Sequence, residues 1–194
     1  MRSEVVFAGF GGQGVIKAAL LLALAAVLEE KEVAQTQSYG PEARGGACRS
    51  EVIISDEKID YIKAERIDAF VVMSQPAMEK YAEATDPENT VIIADTTLVQ
   101  PAPEKSRRLY PVRATSVSEE TFGRSLFANI IMLGALSAVT GIVSISSLEK
   151  ALTGNVPPET IEQNRNALKK GYEMGEAIKR KATEAKSSKL DVES

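Results

Sequence analysis

Glu4 to Gly9 (EVVFAG) is a short apolar run halted by glycine, and Gly14 to Glu30 (GVIKAALLLALAAVLEE) follows with strong helix formers whose charges lie only near its ends. A strand, a glycine turn and a helix in that order constrain a chain strongly, because the helix must return across a sheet. The rest continues the pattern. Val33 to Gln37 reads as a second strand and Ser38 to Gly46 (SYGPEARGG) as a loop. Ala47 to Ser55, with Val52, Ile53 and Ile54 at its apolar end, turns at Asp56-Glu57 into Lys58 to Ile62, which resembles a hairpin. Ala69 to Ser74 (AFVVMS) and Thr90 to Asp95 (TVIIAD) are buried-strand runs on either side of a helical Pro76 to Ala84, and Leu109 to Arg113 is a weaker strand.

This order predicts a three-layer α/β/α fold with a mostly parallel sheet and a hairpin-like insertion. At 194 residues and 44% hydrophobic, the chain suits one core, so a single domain over 1–183 and a polar tail over 184–194 are expected. Ser118-Glu119-Glu120 would open a helix running to about Val139. Ser146 or Ser147 would cap another over Leu148 to Thr153. A last helix from Pro158 to about Thr183 would carry Ile161, Leu168, Tyr172, Gly175 and Ile178 on a narrow apolar seam. Ser125 to Leu148 has no charged residue and nearly the length of a membrane span. Asn129, Thr140, Gly141 and its serines favour a buried helix ending near Gly141.

Composition removes whole classes of chemistry. The chain has no histidine and one cysteine, Cys48, so triads, His-based zinc sites, an intrachain disulfide and cysteine-ligated iron-sulfur clusters are out of reach. A net charge of −4 with 5% aromatics lacks the basic footprint and stacking platforms of nucleic-acid binding. The N-terminus MRSEVVFAGFGG does not read as a signal peptide, and a cytoplasmic location is expected.

Gly9-Phe10-Gly11-Gly12-Gln13-Gly14 fits GxGxxG between a strand and a helix. A dinucleotide site would also place an acid at the end of the second strand for the ribose, and Val33-Ala34-Gln35-Thr36-Gln37 offers none. A P-loop needs Gly-Lys-Ser/Thr in succession, whereas Gly14 and Lys17 are separated by Val15-Ile16. What remains is a side-chain-free turn at the positive end of a helix, open to an anion or to another backbone. The same residues also suit a tight turn with no ligand. Gln13 favours function, since its amide is a directed donor and acceptor without an evident packing role.

The second loop, Gln35 to Gly46, leaves the second strand at the same sheet edge, where loops of a parallel sheet converge on a binding crevice. Arg44 there could grip a carboxylate or phosphate, or stay solvated beside Glu42. Together GFGGQGV and QTQSYGPEARGGACRSEVIISDEKIDY resemble the gamma subunit of the 2-oxoacid:ferredoxin oxidoreductases, most closely the 2-oxoglutarate type. The similarity continues through AFVVMSQPAMEKY, TVIIADTTLV and ANIIMLGALSAVTGIV. Tyr39, Ala43 and Gly46 follow the 2-oxoglutarate pattern, whereas pyruvate enzymes more often read FGPERRGA.

The resemblance implies a subunit of a complex that oxidatively decarboxylates a 2-oxoacid, releases an acyl-coenzyme A and passes electrons to ferredoxin. It implies that thiamine diphosphate, magnesium and iron-sulfur clusters are held by thiamine-binding and ferredoxin-like partner chains, with coenzyme A as cosubstrate. It assigns binding or interface roles to Gly11, Gly12, Gln13, Gly14, Tyr39, Gly40, Pro41, Glu42, Arg44, Gly45 and Gly46. It assigns no catalytic residue and no metal ligand, since the cofactor performs the chemistry. A pyruvate or branched-chain 2-oxoacid enzyme, a stand-alone anion- or nucleotide-binding domain, and a pure scaffold are the competing readings. Asn129 is expected to make a structural hydrogen bond or to touch the glycine turn. Cys48 is expected to be a small buried hydrophobe, and Asp95 a cap.

Overall fold

The computed structural model describes residues 1–38, 47–100 and 108–190, with side chains up to 184. The strands are β1 (Arg2–Phe10), β2 (Glu32–Ser38), β3 (Ala47–Ser55), β4 (Ala69–Val72), β5 (Val91–Asp95) and β6 (Leu109–Val112). The helices are α1 (Val15–Leu28), α2 (Gln75–Tyr81), α3 (Ala114–Phe122), α4 (Ala128–Thr140), α5 (Ile145–Leu152) and α6 (Ile161–Leu190). The sheet order is β2-β3-β1-β4-β5-β6. β1, β4, β5 and β6 are parallel, and β3 runs against both β1 and β2.

β1 is buried on both faces, as its continuous apolar run requires. Val5 and Phe7 join the cluster built with α1, α4, α5 and α6, and Val6 and Ala8 join a second cluster with Phe70, Val72, Ile92 and α2. The expected three layers and mostly parallel sheet are present, with unequal outer layers.

The hairpin is displaced from the position expected of it. β3 pairs with β2, not with Lys58 to Ile62, because β1 and β2 already occupy both of its edges up to Ser55. The segment after β3 is instead tied down by two buried carboxylates. Glu4 accepts from the Glu65 and Arg66 amides at 2.6 and 2.7 Å and from Arg2 Nε at 2.8 Å, and Glu51 accepts from the Ala64 amide at 2.9 Å. Removing Glu4 strands those donors, so Glu4→Ala should cost about 3 kcal/mol. A lowered urea midpoint with faster proteolysis between residues 57 and 67 checks this, and an unchanged midpoint contradicts it.

Ser118 does not open a helix. It lies inside α3, which stops at Gly123 (φ 72), and a 3-10 turn over Ser125–Phe127 leads into α4. α4 is buried on every side and ends at Gly141, as its polar residues suggested. Among the described residues no helix is long and apolar enough to cross a membrane. α5 is capped by Ser144, two or three residues before the expected Ser146 or Ser147, with the Ser147 amide donating to its hydroxyl at 3.2 Å. α6 continues to Leu190, beyond the expected Thr183.

α6 crosses α4 on glycine. A Cβ at Gly134 would fall on the Leu168 carbonyl oxygen and 2.8 Å from Tyr172 N, and one at Gly171 would overlap the Ile131 carbonyl. Lys179 Nζ then donates to the Ala138 carbonyl at 3.0 Å near the end of α4.

Candidate functional site

The carboxyl edge of the parallel strands is where a sheet of this type places its ligands, and the glycine turn lies there between β1 and α1. Its four glycines have different reasons. Gly9 leaves room for the Gln13 amide, since a Cβ would sit 2.5 Å from Gln13 Oε1. Gly12 (φ 101) and Gly14 (φ 74) hold left-handed conformations, and Gly14 also admits Asn129. Gly11 has neither reason: its φ is ordinary and no described residue lies within 4 Å of a Cβ there.

Gln13 has a structural role that the sequence does not reveal. Its Oε1 accepts from the Phe10 amide at 2.9 Å and its Nε2 donates to the Met73 carbonyl at 2.7 Å. One amide thus closes the turn and clamps it to the end of β4. Asn129, at the start of buried α4, donates from Nδ2 to the Gly14 carbonyl at 3.0 Å. Both expectations for Asn129 therefore hold in a single bond, which ties α4 to the turn.

Two clefts flank the turn. The first, about 490 Å³, lies between Gly12, Gln13, Met73 and Leu98 on one side and Thr115, Glu119, Arg124, Ser125 and Leu126 on the other. The second, about 270 Å³, runs from Gly14 and Lys17 to Phe127, Ile130, Pro157 and Asn164. Phe10, Leu98 and Leu126 rim the first cleft while remaining 40%, 38% and 58% exposed. Arg124 supplies a cation whose side chain meets no carboxylate among the described residues.

The far wall is set by buried polar groups. Ser118, fully buried, donates to the Arg124 carbonyl at 2.6 Å and accepts from the Phe127 amide at 3.2 Å. Asp95 acts as the cap expected of it: Oδ1 accepts from the Thr97 amide, and Oδ2 from the amide and hydroxyl of Thr115 at 3.1 and 2.6 Å. The strand end and the first turn of α3 are thereby joined. Ser118 reads in the sequence only as a helix opener, and Arg124 and Leu126 do not stand out there, because the roles of all three depend on α3 and α4 returning to the glycine turn.

Of the residues expected at the site, Gly11, Gly12, Gln13 and Gly14 lie together at this edge. Tyr39, Gly40, Pro41, Glu42, Arg44, Gly45 and Gly46 lie outside the described residues. The ends of their loop are at the same edge, since Ala47 pairs with Phe10, and Ser38 and Ala8 both pair with Arg49. The inserted β3 also separates β2 from β1, unlike the neighbouring strands of a dinucleotide-binding half. Cys48, where β3 begins, is buried, and that burial pushes its thiol pKa up, as suits a packing residue.

Residues 4–174 match the family model described as pyruvate ferredoxin/flavodoxin oxidoreductase. The 2-oxoglutarate synthase subunit KorC of Methanocaldococcus jannaschii is 46% identical over 92% of this chain and 96% of its own. The protein of the same name from Archaeoglobus fulgidus is 43% identical over 90% and 89%. Among solved structures, a keto/oxoacid ferredoxin oxidoreductase gamma subunit from Geobacter sulfurreducens superposes with a TM-score of 0.83 at 38% identity, covering 92% of this chain and 98% of that one. The glycine turn, the sheet around it and these similarities over nearly the whole length place the chain in the pyruvate ferredoxin/flavodoxin oxidoreductase family.

Proposed function

We propose that this chain is the gamma subunit of a 2-oxoglutarate:ferredoxin oxidoreductase, which converts 2-oxoglutarate and coenzyme A to succinyl-coenzyme A and carbon dioxide and passes the electrons to ferredoxin. The names of the relatives above support the reaction. The observation that carries a binding role for this chain is Gly11: neither its backbone conformation nor any described residue requires a glycine there, which suits a stretch of bare backbone offered to a bound group.

In this reading the glycine turn meets coenzyme A or the partner chain presenting it, and Tyr39, Gly40, Pro41, Glu42, Arg44, Gly45 and Gly46 share that binding role. The turn amides and the start of α1 favour anionic groups, and Arg124 on the cleft wall adds a cationic donor. The apolar rim of Phe10, Leu98 and Leu126 excludes water once a partner covers it. Thiamine diphosphate supplies the decarboxylation chemistry and is assigned with its magnesium to a thiamine-binding partner chain. The iron-sulfur clusters are assigned to a ferredoxin-like partner, since one buried cysteine does not provide a cluster's ligands. The assembly is assigned to the cytoplasm.

The purified chain should show no turnover with 2-oxoglutarate, coenzyme A and ferredoxin. Turnover should appear on adding the thiamine-binding and ferredoxin-like chains, and Arg44→Ala should lower it by about tenfold or more. Turnover by the isolated chain would overturn the assignment. So would an assembled complex that turns over a different 2-oxoacid in preference to 2-oxoglutarate.

A further inference from the structure

One buried amide spans the gap between the first turns of α1 and α4. Asn129 is 5% exposed, on a helix whose other buried residues are almost all apolar. Its Oδ1 accepts from the Ile130 amide at 3.0 Å, one of the four N–H groups that the start of α4 leaves without an intrahelical acceptor. Its Nδ2 donates at 3.0 Å to the Gly14 carbonyl, which also accepts the first helical bond of α1 from the Ala18 amide at 3.0 Å. Both ends of the amide are engaged, so its orientation is fixed.

Round the first cleft, side chains join each wall to the next. Gln13 ties the glycine turn to the end of β4, and Gln75 at the start of α2 accepts from the Gln100 amide at 2.9 Å. Asp95 joins the end of β5 to α3, and Ser118 joins α3 to the 3-10 turn before α4. Asn129 closes the circuit. Its bond links residues 115 positions apart, and α1 and α4 share no sheet ladder, unlike β1 and β4 beside Gln13. Among the described residues no other side chain of α3 or α4 bonds to the turn.

We propose that Asn129 is a positioning residue for coenzyme A: by holding the Gly14 carbonyl it fixes the direction in which the start of α1 presents its amides to the clefts. This rests on the reading above that the glycine turn meets coenzyme A. A carbonyl and the amide that follows it share one rigid peptide plane, so gripping the Gly14 oxygen aims the Val15 N–H, the first of α1. That amide and those of Gly11, Gly12 and Gly14 have no acceptor among the described residues, which leaves their donors to an anionic group. Gly14 itself, at φ 74, has no side chain with which to hold this geometry. The restraint has to come from elsewhere in the fold, and Asn129 supplies it.

Steady-state kinetics of the assembled complex test this. Asn129→Ala should raise KM for coenzyme A about tenfold and leave kcat and KM for 2-oxoglutarate within about twofold, since the chain contributes binding and no catalytic group. Ser137→Ala, which loses a buried bond to the Val143 carbonyl near the other end of α4, should leave all three constants within about twofold. A Cβ at Gly14 would stand 2.4 Å from Asn129 Nδ2, so Gly14→Ala breaks the same bond from the other side. The double variant should then match the more affected single one to within about threefold, where independent effects would multiply. Asn129→Asp keeps the shape and the bond to Ile130 and should raise KM for coenzyme A at least as far, which tests the proposal if the alanine variant does not assemble. An unchanged KM for coenzyme A in an assembled Asn129 variant, an equal rise in both KM values, or a multiplicative double variant overturns it. Gly11→Val, which fills the space before the turn, separates this from the reading beneath it. If that variant raises KM for coenzyme A and the Asn129 variants do not, the proposal alone fails; if neither does, the reading of the turn fails with it.

Discussion

Gly171→Ala should melt about 6 to 12 °C below the wild-type chain, taking a net cost of about 3 kcal/mol and roughly 2 to 4 °C per kcal/mol for a chain of this size. Helix propensity alone expects the opposite sign, since alanine is about 1 kcal/mol better than glycine inside a helix. The two effects compete, and the geometry decides which prevails. A Cβ at Gly171 would overlap the Ile131 carbonyl oxygen and stand 2.7 and 2.8 Å from Ile131 C and Cα, all of them backbone atoms that no rotamer change can move. α6 must then withdraw from α4 along a crossing that also rests on Gly134 and Gly175. Gly171→Val should leave no cooperative transition. Lys169→Ala, on the opposite, exposed side of the helix, should change stability by no more than about 0.5 kcal/mol and serves as a surface control. A Gly171→Ala chain that melts at or above the wild-type temperature would show that the helices have room to spare.

That crossing also marks where the sequence stops being legible. Periodicity identifies α6 and includes Gly175 in its seam, but passes over Gly171, because a glycine contributes no hydrophobicity to a pattern. Its partner at Gly134 lies within an apolar run, and nothing local says that the two backbones meet. The same limit explains the hairpin. Lys58 to Ile62 has a strand-like composition, yet whether a segment pairs depends on a free edge, and β1 and β2 leave β3 none. The strand, glycine turn and helix at the N-terminus were readable because the determinants there are consecutive in the chain. The opposite wall of the cleft was not, because Ser118, Arg124 and Leu126 reach it only through the break at Gly123 and the bond from Asn129 to Gly14. The absence of histidine and the single cysteine remain informative in another way: they point to chemistry supplied from outside this chain.

Gln13→Glu should lower turnover of the assembled complex about ten- to a hundredfold at pH 8, with part of the loss recovered toward pH 6. The substitution preserves shape, so steric effects are removed from the comparison. One carboxylate oxygen still accepts from the Phe10 amide, as Oε1 does at 2.9 Å. The other replaces a donor and faces the Met73 carbonyl across the 2.7 Å that Nε2 now spans, opposing two acceptors where there was a hydrogen bond. Losing that bond and leaving a carbonyl unpaired costs about 1 to 3 kcal/mol, which falls on the junction of β1 and β4 beneath the cleft. The pH dependence follows from the same geometry. A protonated glutamate can donate to Met73, so the folded site favours the acid form and raises its pKa above the unfolded value. The defect is then full at high pH and diminishes as the group protonates. A merely global loss of stability would lower turnover without that recovery, and Gln13→Ala, which has nothing to protonate, should show none. Equal activity of wild-type and Gln13→Glu complexes at pH 8 would remove Gln13 from the set of residues that position the cleft.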